Sequence, residues 1–238
     1  MRHIDKTLFQ APASYVTELR KAHLDEQEIA RGAHSGLSGD ELFELVKRLP
    51  SFHLMKQQLL KDQGYVCCYC NRTIPGSGIP TEHVKPKSVY RELTGEYKNL
   101  LAACDGGNRI PAVLAGETPY TRETYPLHCD QNKGNREIPL SPLSADCEQR
   151  FKYNVLTGKV EGDADVQATV AILNLNHPVL TKERKEAIKG LCYDEHGNAL
   201  DKDQLLTIKN GLMKRSSTGH YRNLYFVLAR AAECLAAK

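Results

Sequence analysis

The chain has 238 residues, of which 41 % are hydrophobic and 26 % are charged, with a formal net charge of +3 at pH 7. This composition is typical of a globular protein and excludes a largely disordered chain. The sequence contains no apolar run of about 18 residues, and its first residues lack the layout of a signal peptide. We therefore expect a cytoplasmic protein with no membrane partner, and the small net charge does not by itself indicate nucleic acid.

Residues 1–65 are predicted to form a helical region of about three helices. Apolar residues recur every three to four positions over 14–33 and 38–64. Ser38 lies three residues before Glu41, which predicts a helix start with a capping box. Gly64 predicts a helix end. The region is a candidate docking segment for a partner protein.

Residues 66–140 lack a sustained helical periodicity and contain short apolar stretches interrupted by Gly, Pro, Asn and Cys. So few apolar side chains cannot pack on their own, which predicts that the segment folds around a bound ion. Gly106, Gly107 and the stretch 111–119 indicate an inserted surface loop.

Residues 141–238 are predicted to combine a hairpin with a helical region. Alternating residues on both sides of Thr157 and Gly158, within 150–162, indicate two strands joined by a turn. The stretches 165–195 and 201–238 have helical periodicity.

Two cysteines, Cys67 and Cys70, have the two-residue separation of a zinc knuckle, in which both thiolates face one ion from a tight turn. Cys68 points elsewhere in that geometry. Cys104 and Cys129 lie beside turn-forming residues and are the candidates that would complete a tetrahedral structural zinc site. The alternative is that Cys104 and Cys129 are small buried apolar side chains.

The remaining cysteines and one histidine are assigned as follows. His128, next to Cys129, is an alternative zinc ligand to that cysteine. Cys147, Cys192 and Cys234 lie in or near apolar helical stretches, and we expect them in the core. A disulfide framework is not expected, because the cytosol keeps thiols reduced.

The order of these motifs resembles the HNH nuclease family. The pattern runs CYC, EHVKPKS, NLLAAC, HCDQNKG, PLSADCEQRFKYNVLTGKVEG and LNLNHPVL, over roughly residues 55–185. Within that family it is similar to the PtuB-type proteins of retron and Septu anti-phage defence systems, which are encoded beside an ATPase, PtuA.

The resemblance implies an α+β fold in which a zinc-braced ββα-metal core is embedded in mostly helical flanking segments. The core would occupy residues 66–140, between the helical region 1–65 and the hairpin and helices of 141–238. The implied function is a metal-dependent endonuclease, the effector subunit of a defence system that works with an ATPase.

The resemblance also implies roles for four residues of the core. His83 would be the general base, because a neutral imidazole can take a proton near pH 7. Glu82 and Asp130 would hold one catalytic Mg²⁺ or Mn²⁺, and Asn99 would brace the loop bearing His83 through backbone hydrogen bonds. The alternative for Asn99 is an ordinary turn residue. Many HNH proteins have His or Asn at the position of Asp130, and the carboxylate favours a hard cation with oxygen ligands.

Three lysines near these residues, Lys85, Lys87 and Lys133, are candidates for contacts with phosphates, although any exposed lysine would look the same in the sequence. The nucleic acid is expected to be DNA, with RNA as the alternative. No Walker-type phosphate-binding element is present, so any use of ATP would come from the PtuA-type partner.

A rival interpretation is a zinc-braced nucleic-acid-binding or adaptor subunit without catalysis. Glu82 and Asp130 argue against it, because carboxylates repel a phosphate unless a cation lies between them.

Overall fold

The protein combines α-helices with two small antiparallel sheets in a computed structural model that describes residues 1–76, 79–107, 127–193 and 196–237. In these ranges the helices are α1 (Ala13–Lys21), α2 (Glu26–Ala30), α3 (Gly39–Lys47), α4 (Phe52–Gln63), α5 (Asp130–Lys133), α6 (Cys147–Arg150), α7 (Ala164–Leu173), α8 (Pro178–Lys189), α9 (Lys202–Leu212) and α10 (Tyr225–Ala236). The strands are β1 (Thr81–His83), β2 (Leu100–Ala102), β3 (Lys152–Tyr153) and β4 (Val160–Glu161). This mixture confirms the α+β class, while the predicted loop at 111–119 lies outside the described residues.

The N-terminal region contains four helices rather than about three. The chain turns at His23, whose φ is 54°, and Asp25 then caps the short helix α2 with its side chain. A helix of five residues is too short to show a periodicity of its own. The predicted capping box of Ser38 and Glu41 is present, and Gly64 ends α4 in the left-handed conformation with φ 64°.

The β1–β2 sheet carries two residues of the predicted site, Glu82 and His83. It is antiparallel, with Glu82 opposite Leu101 and His83 opposite Leu100. All three residues of β2 are buried, and the strand lies against α4. Buried apolar residues on β2 therefore anchor β1 from behind.

The predicted hairpin after α6 is present, with strands of only two residues each. Its turn is ordered by Asn154, whose Oδ1 accepts hydrogen bonds from the backbone N–H groups of Leu156 and Thr157 at 3.0 Å. Gly158 has φ 70°, and a Cβ there would lie 2.2 Å from the carbonyl oxygen of Thr181. The turn therefore packs tightly against α8.

The buried side chain of Arg184 holds this turn by hydrogen bonds. The side chain is 2 % exposed, its Nε donates to the carbonyl oxygen of Gly158 at 2.6 Å, and one terminal nitrogen donates to that of Leu175 at 2.6 Å. One buried guanidinium thus joins the hairpin to the α7–α8 connection.

Replacing Arg184 with leucine is expected to lower the free energy of unfolding by about 3 kcal/mol, because two buried carbonyls lose charged donors. Urea unfolding of the variant measures this loss. Lys182→Leu, on the exposed face of the same helix, should change the free energy by less than about 0.5 kcal/mol. Equal losses in both variants would contradict the proposed anchoring.

Each of the two C-terminal helical stretches is divided into two helices. Asn174 ends α7 in the left-handed conformation with φ 49°, and Pro178 is the first residue of α8. The stretch 213–224 separates α9 from α10. Helical periodicity continues across these breaks, so the sequence pattern did not reveal them.

The apolar core is continuous from Met1 to Ala236 and takes residues from all three segments distinguished in the sequence. Cys147 lies in it as expected, but Cys192 is only half-buried and Cys234 is exposed. The core prediction is wrong for Cys234, which lies on the outer side of α10. Among the described residues, no helix combines the length and apolar character needed to cross a bilayer.

Candidate active site

Four cysteine thiols converge in the protein interior. The Sγ atoms of Cys67, Cys70, Cys104 and Cys129 all lie within 4.8 Å of one another, and all four residues are buried. The Sγ atoms of Cys70 and Cys104 are 3.8 Å apart. Zinc–sulfur bonds of about 2.3 Å in a tetrahedron place the sulfur atoms about 3.8 Å apart. The donor set therefore fits a structural Zn²⁺.

Three separate elements supply these thiols. Cys67 and Cys70 lie in a tight turn after α4, closed by a hydrogen bond from the N–H of Asn71 to the carbonyl oxygen of Cys67 at 3.1 Å. Cys104 follows β2, and Cys129 directly precedes α5. An ion bound by the four thiols would join the turn after α4 to β2 and α5.

Cys68 and His128 lie beside the four-cysteine cluster. Cys68 is buried but contributes no sulfur to the cluster, as its position in the knuckle predicted. The Nδ1 atom of His128 lies 3.2 Å from the Sγ of Cys129. Burial lowers the pKa of His128 to about 4. The histidine is thus a neutral neighbour of the thiols, and the geometry favours cysteine as the fourth ligand.

A small cleft of about 90 Å³ lies beside the cluster, between β1 and α5. The predicted residues Glu82, His83 and Asp130 all line it. The other lining residues are Thr81, Pro86, Lys87, Lys133, Gly134 and Asn135. The structure thus brings Asp130 into one cleft with the adjacent pair Glu82 and His83, which lies 47 or more positions earlier in the sequence.

His83 is held in one orientation. Its Nε2 lies 3.0 Å from the carbonyl oxygen of Thr94, and its ring meets that of Phe43 edge-on at 4.5 Å between centroids. A carbonyl oxygen only accepts hydrogen bonds, so the proton of the neutral ring lies on Nε2 and Nδ1 is the basic nitrogen. Burial lowers the pKa of His83 to about 4, which keeps the ring neutral at pH 7.

Glu82 is almost completely enclosed, with 1 % of its surface exposed. Its Oε1 accepts hydrogen bonds from the hydroxyl of Tyr69 at 2.6 Å and from Nζ of Lys133 at 2.8 Å. Burial raises the pKa of Glu82 well above its usual value, and the neighbouring Asp130 carboxyl raises it further, while Lys133 lowers it. Two adjoining carboxyl groups of this kind fit a hard divalent cation.

Asn99 makes the backbone contacts expected of a brace. Its Oδ1 accepts from the N–H of Lys85 at 2.8 Å, and its Nδ2 donates to the carbonyl oxygens of Lys85 at 3.0 Å and Leu93 at 3.3 Å. The Asn99 side chain thus connects the segment just after His83 to the turn before β2 by hydrogen bonds.

Replacing Asn99 with alanine is expected to lower the free energy of unfolding by about 2 kcal/mol, because buried backbone groups lose their partners. Urea unfolding tests this value. Asn135→Ala, an exposed neighbour at the cleft, should change it by less than about 0.5 kcal/mol. A loss no larger for Asn99 than for Asn135 would contradict the brace.

The three lysines predicted to contact phosphate differ in position. Lys85 and Lys87 are accessible, although Lys85 lies 3.7 Å from a carboxylate oxygen of Glu137 and Lys87 lies 3.0 Å from one of Asp40. Lys133 is 1 % exposed. Its Nζ is used by Glu82 and by the carbonyl oxygen of His83. This burial and pairing argue against the phosphate contact predicted for Lys133, which stays a prediction.

Sequence reasoning missed Tyr69, the hydroxyl donor to Glu82. The signal was its position between Cys68 and Cys70. A large side chain at this position extends from the knuckle to the element packed against it, which here is β1.

Comparison with known proteins places this geometry in context. A scan against models of protein families finds no match. The chain is 26 % identical over 151 residues to "Retron Vc95 putative HNH endonuclease" of Vibrio cholerae serotype O1 biovar El Tor, covering 59 % of this chain and 66 % of the relative. It is 28 % identical over 167 residues to "Retron Ec83 putative HNH endonuclease" of Escherichia coli, covering 56 % and 64 %.

The chain is thus similar to two proteins that are named putative HNH endonucleases of retrons. The resemblance to the HNH proteins of retrons is thus confirmed by two relatives from different bacteria. The match spans just under two thirds of the length of each relative, 66 % and 64 %.

Proposed function

We propose that this protein is a metal-dependent HNH endonuclease that hydrolyses phosphodiester bonds of nucleic acid. The observation that carries the proposal is the convergence of His83, Glu82 and Asp130 in one cleft beside a four-thiol cluster. The order of β1, β2 and α5 around the cleft supports the ββα-metal core that the family resemblance implies. The names of the retron relatives support the same chemistry.

His83 acts as the general base in this proposal. Its Nε2 proton is committed to the carbonyl oxygen of Thr94, so Nδ1 accepts the proton of the attacking water. The lowered pKa of His83, caused mainly by burial, keeps Nδ1 unprotonated at neutral pH. The water oxygen then bonds to phosphorus as the bond to the leaving 3′ oxygen breaks, and that oxygen takes a proton from solvent water to depart as a hydroxyl group.

Glu82 and Asp130 are the residues that would hold the catalytic cation, Mg²⁺ or Mn²⁺. When bound, the cation supplies Lewis acidity and neutralises charge on the phosphate and the leaving oxygen. Without it, the carboxylate of Asp130 in the cleft would repel a phosphate. This repulsion disfavours the rival function of a binding or adaptor module that grips phosphate directly.

The substrate is expected to be DNA, with RNA as the alternative. The cleft is too small to hold more than a phosphate and its immediate neighbours, and contacts with the backbone carry no base sequence. Lys87, which lines the cleft, and the exposed Lys85 would contact the flanking phosphates.

We further propose that the chain is the effector subunit of an anti-phage defence system that works with a PtuA-type ATPase. The retron names of the two relatives support a role in defence. The need to restrain a nuclease in its host supports a regulatory partner. The N-terminal helices α1 to α4 are the candidate docking region.

The experiment that tests the nuclease function is cleavage of plasmid DNA, single-stranded DNA and tRNA in Mg²⁺, in Mn²⁺ and without added divalent cation. The comparison protein is Asp130→Ala, which removes the carboxylate that would hold the cation. Cleavage that requires the cation and is lost in the variant would support the proposal. If the wild type cuts no substrate, alone or with its ATPase partner, the binding-module function is favoured instead.

A further inference from the structure

Two donors of different kinds converge on one oxygen of Glu82. The Tyr69 hydroxyl lies 2.6 Å from Oε1 and the Lys133 ammonium lies 2.8 Å from the same atom. With two donors on Oε1, the carboxylate can rotate only by breaking a buried hydrogen bond. Because both donors use Oε1, Oε2 is the oxygen that would bind a cation.

Both donors are themselves fixed and shielded from water. Tyr69 and Lys133 are each 1 % exposed. Lys133 also donates to the carbonyl oxygen of His83 at 2.8 Å, so its position depends on the end of β1. The Tyr69 hydroxyl is the donor of its hydrogen bond, because a carboxylate only accepts. A buried carboxylate held in this way is preorganised.

Tyr69 links this carboxylate to the four-cysteine cluster. It lies within the knuckle, one residue before Cys70, so its backbone is fixed by the same turn that aims two of the thiols. Its side chain then crosses to β1 and ends on Glu82. The side chain of Tyr69 therefore connects the knuckle to a carboxyl group of the cleft.

We propose that Tyr69 and Lys133 are positioning residues that orient the Glu82 carboxylate for the catalytic cation, with Tyr69 coupling that orientation to the zinc knuckle. This inference rests on the proposed nuclease function, and it concerns residues that do not touch substrate. Partners that hold a metal-binding carboxylate typically affect metal affinity about 10-fold to 100-fold.

The test is the affinity of Tyr69→Phe for Mn²⁺, a variant that removes one oxygen and leaves the charge and the ring in place. Titration with Mn²⁺, followed by the EPR signal of the free ion, measures binding without any need for catalysis. Asp130→Ala, which removes a proposed ligand of the cation, defines how much of the binding belongs to the cleft. We expect Tyr69→Phe to bind Mn²⁺ about 10-fold more weakly and to need about 10-fold more Mn²⁺ for half-maximal cleavage, with an unchanged zinc content.

The matched control is Tyr15→Phe, which also removes a buried hydroxyl but one that donates to the carbonyl oxygen of Gly95, away from the cleft. It should keep the Mn²⁺ affinity of the wild type. Lys133→Gln is a second variant, expected to weaken Mn²⁺ binding in the same direction if it retains its zinc.

Each outcome separates this inference from the nuclease function. Wild-type Mn²⁺ affinity in Tyr69→Phe would overturn the inference even if the wild type cleaves DNA. Weaker binding in Tyr69→Phe, with no cleavage by any form, would support the positioning role and count against the nuclease function. A wild type that binds no Mn²⁺ in the cleft would overturn both.

Discussion

Replacing Cys67 with serine is expected to abolish zinc binding and to destabilise the fold severely. Structural zinc sites contribute about 10–16 kcal/mol of binding free energy at pH 7, and a whole domain is stable by only about 5–15 kcal/mol. The four thiols connect the end of α4 to β2 and α5, so their loss frees all three elements. We expect a loss of more than about 5 kcal/mol, measured by thermal unfolding together with metal analysis.

The control for this variant is the neighbouring residue. Cys68→Ser makes the same chemical change at a cysteine that is also buried but lies outside the cluster. It should keep one zinc per chain and lose only about 1 kcal/mol. An unchanged zinc content in Cys67→Ser, or equal zinc loss in both variants, would refute the assignment of the ligands.

Replacing His83 with alanine is expected to lower the single-turnover rate of nucleic-acid cleavage by about 10³-fold, within the 10²-fold to 10⁴-fold contribution of a general base. The variant should keep its zinc, because His83 contributes no atom to the four-cysteine cluster. A rate measured at saturating Mn²⁺ separates loss of the base from loss of the cation.

The control for His83 is His53→Ala, on an exposed position of α4. It removes an imidazole without touching the cleft and should cleave at the wild-type rate. If His83→Ala also cleaved within about 3-fold of the wild type, the proton would have to pass to another group, and the proposed role of His83 would fail.

The cysteine cluster could be predicted from sequence because its signal is local. The two-residue spacing of Cys67 and Cys70 and the turn-forming neighbours of Cys104 and Cys129 were enough to nominate all four thiols, which the structure brings together. The β1–β2 pairing and the short helix α5 were expected only through the family resemblance. Strands of three residues carry too little periodicity to be predicted alone.

Lys133 and Tyr69 show what the sequence could not reveal. Whether a lysine can contact phosphate or neutralises a carboxylate depends on its burial. Lys133 is buried although the surrounding sequence is polar, which predicts an exposed position. The contact of Tyr69 with Glu82 depends on how the knuckle packs against β1, across 13 residues of sequence. Similar packing information was needed to place Arg184 under the β3–β4 turn.

The most direct test of the whole account measures zinc content and plasmid cleavage in the same samples of wild type, Cys67→Ser and His83→Ala. We predict one zinc and metal-dependent cleavage for the wild type, one zinc and cleavage about 10³-fold slower for His83→Ala, and neither zinc nor cleavage for Cys67→Ser. Cleavage by His83→Ala at the wild-type rate, with its zinc intact, would contradict the account.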